Sequence, residues 1–424
     1  MSKIAVVGGG WAGLAAAVAA TEQGHALTLI EIAPQLGGRA RSIAGADGEP
    51  TLDNGQHILI GAYRESLALM RRVGVDPAQA LQRLPLRLRY PDHEGLALPP
   101  GEPQWSFVRG VLAHRHWPLT SRLRLLATAL RWRLGGFDCA ASLSVAQLCA
   151  SLPRIVKEEL VEPLCVAALN TPAERASARV FLRVLGDALF GGAGGSDLLL
   201  PRRPLSALLA EPAGDWLRAQ GAEIRLGSRA GALQAENGAW RLDGERFDKL
   251  ILACPAGEAA RLAADIAPAW AAQARALRFE PIVTVYLHSA GSTLPAPMLA
   301  LRESAAAPAQ FAFDLGQLGQ HAGLFAFVIS GAAPWVERGL AETGEAVLAQ
   351  AMRELGWARP PRVLRVLAEK RATFACTPGL QRPAALIAPG LWAAGDHVAG
   401  PYPATLEGAV RSGLAAAAGL GQIG

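Results

Sequence analysis

Cysteine is sparse in this sequence. The five cysteines, Cys139, Cys149, Cys165, Cys254 and Cys376, form no C-x-x-C pair, and their number is odd. That argues against a disulfide framework and a structural zinc site, so no metal is expected. Buried thiols in a reducing compartment are the plainer reading. No apolar run reaches the roughly 18 residues of a membrane-spanning helix. No charged leader precedes the apolar run at residues 3–7. The expectation is a cytoplasmic protein that touches membrane only peripherally. Internal repeats and low-complexity linkers are also missing. Lysine occurs only at Lys3, Lys157, Lys249 and Lys370, so arginine supplies most of the positive charge. Genome base composition alone can produce that bias, and it carries no functional weight.

What is present is a chain of 424 residues, 51% hydrophobic and 18% charged. A large core is readily buried and wholesale disorder is excluded. The length suits two or three domains or one composite. The net charge is +5, but it is unevenly placed. Residues 103–137 hold six Arg and no acidic residue, so this interval alone contributes +6 and the rest sums to −1.

The order of elements predicts an α/β protein. Residues 3–7 read as a buried strand, 14–21 as a helix ending near Gly24, and 26–30 as a second strand closed by Glu31. Residues 142–190 read as helical with breaks at Pro163 and Pro172. Strand and helix character returns near 201, with a helix over 205–220, a strand at 223–226, a hairpin over 239–247 and a buried strand at 249–253. A strand-rich portion spans about 280–375. A strand then runs into Gly395-Asp396, and a helix starts at Thr405.

Between the first strand and helix stands Gly8-x-Gly10-Trp11-Ala12-Gly13. The first glycine allows the turn, the second admits a pyrophosphate, and the third lets helix and strand pack closely. Glu31, 18 residues beyond Gly13, can accept from ribose hydroxyls and disfavours a 2′-phosphate, which points away from NADP. A second glycine turn, Leu36-Gly37-Gly38-Arg39-Ala40-Arg41, favours FAD over NAD, because its arginines can reach phosphate or a flavin edge. Asp53-Asn54-Gly55-Gln56-His57 forms a polar turn near the expected cofactor mouth. At the C-terminal end, Asp396 can accept from a ribityl hydroxyl. The helix start at Thr405-Leu406 can aim N–H groups at the flavin N1/O2 edge. The resulting expectation is a Rossmann-type FAD-binding domain in three segments (1–75, 201–260, 385–424). A helical substrate and membrane-facing region (76–200) and a mixed α+β substrate domain (261–384) are interleaved with it.

These motifs, with Pro403-Ala404-Thr405-Leu406-Glu407-Gly408-Ala409, resemble the flavin amine oxidase and phytoene desaturase superfamily. More narrowly, Asp53–His57, residues 163–172, Leu200-Pro201-Arg202, residues 369–374 and residues 408–413 are similar to the squalene-associated FAD-dependent enzymes, the hydroxysqualene dehydroxylases of hopanoid pathways. The resemblance implies that Gly8, Gly10 and Gly13 hold the FAD pyrophosphate, Glu31 the ribose, and Gly38 and Arg39 the pyrophosphate and flavin. It places the backbone of Ala230 against adenine, and Asp396 and Leu406 at the ribityl chain and flavin edge. The implied reaction reduces hydroxysqualene to squalene with loss of water, hydride passing from flavin N5 to the allylic carbon. Such chemistry needs an apolar tunnel and one proton donor. His57 is the favoured donor, with Asp53 and Tyr402 as the other titratable candidates. A carotenoid-type desaturase is the alternative in the same fold. An amine oxidase fits less well, because such sites use aromatic cages and the chain has only Tyr63, Tyr90, Tyr286 and Tyr402. A scaffold that delivers isoprenoid without turnover is a further class. Synthase-like enzymes that make hydroxysqualene are implied as upstream partners.

The basic interval mixes Trp, Leu and Arg. Over 122–134 the leucines and Trp132 are expected mostly on one helical side, bordered by Arg122, Arg124, Arg131 and Arg133. A basic amphipathic helix with interfacial Trp suits an anionic membrane surface. Nucleic acid fits worse, since the arginines are interleaved with a continuous apolar face.

Overall fold

The structure is a computed structural model and describes residues 1–45, 48–357 and 359–421. Its main sheet contains β1 (Lys3–Val7), β2 (Ala26–Ile30), β3 (Glu223–Arg225), β4 (Lys249–Leu252), β7 (Leu386–Ala388) and β8 (Leu391–Ala393), ordered β3-β2-β1-β4-β8-β7. All neighbours are parallel except β8 and β7. The strands are apolar runs because both faces are covered. Ile4 and Val6 pack on one side and Ala5 and Val7 on the other. The first side carries α1 (Trp11–Glu22) and α6 (Leu406–Gly419). The second carries a three-stranded antiparallel sheet over 233–247, which includes the expected hairpin.

Register decides what this sheet can do. Val7 lies opposite both Ile30 and Leu252, and Leu252 lies opposite Ala393. Gly8, Glu31, Ala253 and Ala394 therefore leave the sheet at one edge, the carboxyl edge where open α/β sheets take ligands.

A second, antiparallel sheet has the order 298–300, 311–314, 324–329, β5 (Phe279–His288), β6 (Arg362–Phe374). The turn at 53–57 sits against it. Tyr286 of β5 donates to the Asp53 carbonyl at 2.8 Å, and Asn54 donates to the Glu369 carboxylate of β6 at 3.1 Å.

Four further helices form a cap: α2 (Pro103–Ala113), α3 (Leu119–Leu134), α4 (Glu162–Leu169) and α5 (Ala178–Phe190). Two sequence expectations fail here. Pro163 breaks nothing. It falls in the first turn of α4, directly after a π-helical turn at Lys157–Val161, in one run that begins at Arg154. The wider turn accommodates a residue that has no N–H to donate. The leucines of α3 also do not share one side. Leu125, Thr128 and Ala129 are buried, whereas Leu119, Leu123, Leu130 and Leu134 are exposed. At 100° per residue the exposed four fall within an arc of about 60°.

The helix expected over 205–220 is likewise split, into a 3-10 turn at Leu205–Ala207 and a helix at Ala210–Ala219. Asp53 Oδ1 accepts from Leu205 N–H (2.9 Å), and Ser42 Oγ from Ser206 N–H (3.0 Å). Pro212 is tolerated only in a first turn, so the second helix begins just before it.

π-helical Glu159 holds the cap together. Its Oε2 accepts from the Trp117 indole at 2.8 Å, its Oε1 lies 3.3 Å from Arg302, and its carbonyl accepts from Tyr90 at 3.2 Å. Among the described residues no helix is long and apolar enough to cross a membrane.

Candidate functional site

At the carboxyl edge of the sheet, the first glycine turn is packed too tightly for side chains. A Cβ on Gly13 would stand 1.8 Å from the Gly8 carbonyl oxygen. Gly10 differs. A Cβ there would meet only the Gly38 Cα, at 3.8 Å, across the space between the two glycine turns. Gly37 N–H donates to the Gly9 carbonyl at 2.8 Å and so fixes the two turns side by side. Gly10 is also the N-cap of α1, whose first turn carries no acidic residue. Its free N–H groups and helix dipole face that space. Trp11 and Ala12 are buried at the same helix start.

Glu31 is buried, and its carboxylate accepts from Gly9 N–H (2.6 Å) and Ala33 N–H (2.7 Å). The expectation that it serves ribose alone is too simple. It braces the first glycine turn, and a carboxylate with four acceptor sites keeps capacity for hydroxyls. The Ala230 carbonyl is already engaged by Arg261, at 2.5 Å.

The C-terminal motif joins the same edge. Asp396 and Arg39 form a two-armed ion pair, Nη2 to Oδ1 at 2.5 Å and Nη1 to Oδ2 at 3.2 Å. Arg39 also donates to the Ala372 carbonyl at 2.7 Å. Burial pushes the Asp396 carboxyl up, but the neighbouring guanidinium outweighs it and holds the group below its ordinary value. Arg39, expected as a free cation for phosphate or flavin, is thus paired, and Asp396 with it. Gly395 N–H donates to Ser412 at 3.0 Å. Thr405 caps α6, its hydroxyl accepting from Gly408 N–H (3.0 Å) and donating to the Tyr402 carbonyl (2.7 Å). Leu406 begins the helix. Tyr402 and Ala404 both hold left-handed backbone, φ 56° and 58°, which costs about 1–3 kcal/mol each and clusters at functional loops.

The three titratable candidates separate chemically. The Asp53 carboxylate faces the protein, accepting from Ser42 Oγ (2.7 Å) and Leu205 N–H (2.9 Å). Burial raises its pKa to about 6 against those hydrogen bonds. Through these bonds Asp53 anchors the turn. His57 Nδ1 lies 2.9 Å from the Gly55 carbonyl. A carbonyl only accepts, so the proton sits on Nδ1 and Nε2 offers a lone pair. Burial lowers the His57 pKa, and Arg39 adds to the effect. A neutral ring with this tautomer accepts at Nε2. Tyr402 is partly exposed, and burial followed by the nearby Asp187 raises its hydroxyl pKa, so it stays a protonated donor.

Two features escaped the sequence reading. Glu407 is fully buried. It accepts from Ser66 N–H (2.9 Å), Ser66 Oγ (2.8 Å) and Glu65 N–H (3.1 Å) and pairs with Arg411 at 2.8 Å, tying α6 to the start of the helix at Arg64–Arg72. Its place in the Thr405–Gly408 motif was the available signal. His397 is also buried, and burial lowers its pKa to about 4. Among the described residues one group has metal-ligand chemistry, His93, His116 and Glu159 in the cap. Arg302 already lies 3.3 Å from the Glu159 oxygen and 3.0 Å from His93 Nε2 there. The four buried cysteines, with Cys139 partly exposed, are free thiols.

The space at the sheet edge thus has a helix start with free N–H groups, a buried acid at Glu31 and the Asp396–Arg39 ion pair. Residues 11–420 match the flavin-containing amine oxidoreductases, and the chain belongs to that family. It is an FAD-dependent oxidoreductase. The hydroxysqualene dehydroxylase of Rhodopseudomonas palustris is 27% identical over 98% of both chains. The zeta-carotene desaturase of Zea mays is 36% identical, over 18% of this chain and 13% of its own. An oxidoreductase from Methanosarcina mazei shares the fold, with a TM-score of 0.73 at 17% identity, covering 97% of this chain and 99% of that one.

The residues present fit FAD. The buried Trp11 Nε1, Gln56 Nε2, Thr284 Oγ1 and His397 Nε2 have no partner within the described protein. Trp11 and His397 flank the cofactor motifs, while Gln56 and Thr284 adjoin Gly55, whose Cβ position is 3.6 Å from Thr284 Oγ1. Buried polar atoms rarely stay unpaired, so a polar ligand at this edge accounts for them.

Gly10→Val is expected to purify folded but colourless, because the protein has room for the side chain and a pyrophosphate does not. Normal circular dichroism with a flavin absorbance below a tenth of wild type is the expected result, and a yellow variant refutes the assignment. Asp53 provides a test of linkage. Its folded pKa lies above the ordinary value, so its stabilising contribution is complete below about pH 4 and is lost as pH rises through about 6. Asp53→Asn should therefore gain on wild type by about 3 kcal/mol between pH 4 and 7 in denaturant unfolding. A constant difference across that range would show that the carboxyl is not perturbed.

Proposed function

We propose that this chain catalyses the FAD-dependent reductive dehydroxylation of hydroxysqualene to squalene, in hopanoid or related isoprenoid lipid synthesis. The extent of similarity carries this reading. The match to a hydroxysqualene dehydroxylase runs over 98% of both chains, while the desaturase match stops at 18% of this one.

In this reading residues 1–75, 201–260 and 385–424 form the FAD-binding half. The remaining two portions, 76–200 and 261–384, receive the substrate. Gly8, Gly10, Trp11, Ala12, Gly13 and Gly38 line the pyrophosphate, Glu31 takes the ribose, and Ala230 lies at the adenine. Arg39, Gly55, Gln56, Gly395, Asp396, Thr405 and Leu406 surround the ribityl chain and ring. Reduced FAD, when bound, supplies the hydride for the allylic carbon. The departing hydroxyl needs a proton so that it leaves as water. Tyr402 is the group here that keeps a donor O–H, and His57 Nε2 is the acceptor that orients the hydroxyl. Asp53 supports the turn beneath them.

The proposed substrate is a long polyisoprenoid alcohol with almost no aqueous solubility, so the enzyme would collect it from lipid. The exposed leucine stripe of α3, with Trp105 and Leu112 on α2, is the contact surface. On the helical wheel Arg122 and Arg133 border the stripe on one side and Arg124 and Arg131 on the other, as interfacial helices require. We read the protein as cytoplasmic and peripheral to the inner membrane face, downstream of an enzyme that makes hydroxysqualene.

Reduced enzyme mixed anaerobically with hydroxysqualene should reoxidise and release squalene. Tyr402→Phe should keep its FAD and slow that step by about 10²–10⁴-fold. Desaturated product in place of squalene would sink the dehydroxylase reading, and a full-speed Tyr402→Phe would remove Tyr402 from it. Leu123→Glu with Leu130→Glu should abolish cosedimentation with anionic vesicles at an unchanged melting temperature. Undiminished sedimentation would return the stripe to an ordinary surface.

A further inference from the structure

Tyr402 is held more firmly than a partly exposed tyrosine requires. Its backbone is left-handed, φ 56°, and its carbonyl accepts from the Thr405 hydroxyl at 2.7 Å. The same carbonyl is packed against α6, where a Cβ on Gly408 would collide with its oxygen. The ring meets Tyr63 edge to face, with centroids 6.4 Å apart and planes at 83°. A strained residue persists only where its surroundings over-determine it, and here they fix the direction of the phenol.

A charge completes this setting. Arg411 lies one turn beyond Glu407 on α6, with its Nε bonded to the Glu407 Oε1 at 2.8 Å. Its guanidinium Cζ stands over the Tyr402 ring, 4.9 Å from the centroid. Glu407 cannot yield, because it is fully buried and its oxygens also accept from Ser66 N–H, Ser66 Oγ and Glu65 N–H. The arginine is thus clamped by the carboxylate and laid on the aromatic face. A guanidinium gains from the ring quadrupole in that position, and it gains more once the phenol oxygen carries a negative charge.

The other groups around Tyr402 act in the opposite sense. Burial, Asp187 of α5 and Glu407 all disfavour a phenolate, whereas Arg411 favours it and outweighs Glu407. Arg183 is paired with Asp187 at 2.9 Å. Burial pushes the Tyr63 pKa far up, so that phenol stays neutral.

We propose that Arg411 is a positioning residue for the Tyr402 proton: fixed by Glu407, it compensates the negative charge left on the phenol oxygen when that proton departs. The use of the proton rests on the dehydroxylase reading. There the Tyr402 O–H bond breaks and its proton joins the departing hydroxide as water. The allylic carbon takes its hydride from the reduced flavin, and solvent returns a proton to the phenolate. The charge pairing itself rests on the geometry of Tyr402, Glu407 and Arg411.

The test uses the FAD-loaded enzyme with a ring-fluorinated tyrosine at position 402, whose phenol ionises at lower pH than that of tyrosine and is followed by fluorine NMR. Arg411→Gln should raise the midpoint by about one pH unit, a tenfold loss of phenolate, with flavin content unchanged. Arg411→Lys, which keeps the charge, should recover most of that shift. If Arg411→Gln fails to fold because Glu407 is left unpaired, Glu407→Gln with Arg411→Gln removes the pair together, and a smaller upward shift is expected. An unmoved midpoint in whichever variant folds, or a lysine variant that behaves as the glutamine one, overturns the proposal. Turnover is read separately, as anaerobic reoxidation of the flavin by hydroxysqualene, which Arg411→Gln should slow about tenfold. A shifted midpoint in an enzyme that never turns over hydroxysqualene keeps the pairing and removes the dehydroxylase reading. Turnover at full speed in Arg411→Gln does the reverse.

Discussion

The start of α1 is the point on which the molecule depends. Gly13 must lie against the Gly8 carbonyl, and on the opposite side a Cβ on Gly413 of α6 would stand 2.1 Å from the Ala12 carbonyl. A helix made largely of alanine and glycine is pressed between a strand from the beginning of the chain and a helix from its end. Close packing there is a steric requirement, since interiors at crystal-like density leave no room for a methyl group. It aligns the free N–H groups of α1 with the second glycine turn, and it carries Asp396 and Thr405 to the same edge. The cofactor cradle follows from this contact.

Around it, charge is used for joining as well as for binding. The Arg39–Asp396 pair links the second glycine turn to the last strand, Glu31 braces the first turn, and Glu407 joins α6 to the helix at 64–72. Each bond spans segments far apart in sequence. The Glu407 carboxylate is filled by Glu65, Ser66 and Arg411, whereas Glu31 and Arg39 keep acceptor and donor capacity at the sheet edge. The cap obeys a different economy. Its buried charge is gathered around Glu159, and the rest of its interior is apolar apart from small hydroxyls such as Ser106, Ser121 and Thr128.

Much of the α/β framework was legible in the chain. Buried strands appear as apolar runs at 3–7, 26–30 and 249–252. Glycine spacing marks the turn, and Thr405-Leu406 marks a helix start, because these signals are local. Proline was misread at position 163, where a π-helical turn accommodates it. The helix over 205–220 was misread because its first N–H groups bond to Asp53 and Ser42, some 150 residues away. The leucines of α3 show the limit of periodicity. An apolar residue every three to four positions identifies a helix with an apolar face, but when leucines occupy two faces only the neighbours decide which one is covered.

By itself, the sequence determined the two glycine turns, the Gly-Asp and Thr-Leu motifs, much of the order of strands and helices, and the placing of the net positive excess in residues 103–137. These depend on residue type and spacing. Tertiary structure decided the chemistry of the candidate groups. Asp53 became an anchor because Ser42 and Leu205 reach its carboxylate, His57 offers a lone pair at Nε2 because its Nδ1–H donates to the Gly55 carbonyl, and Arg39 met Asp396 across 357 residues. Protonation and hydrogen-bond direction depend on burial and on partners remote in the chain, and no local pattern of residues encodes them.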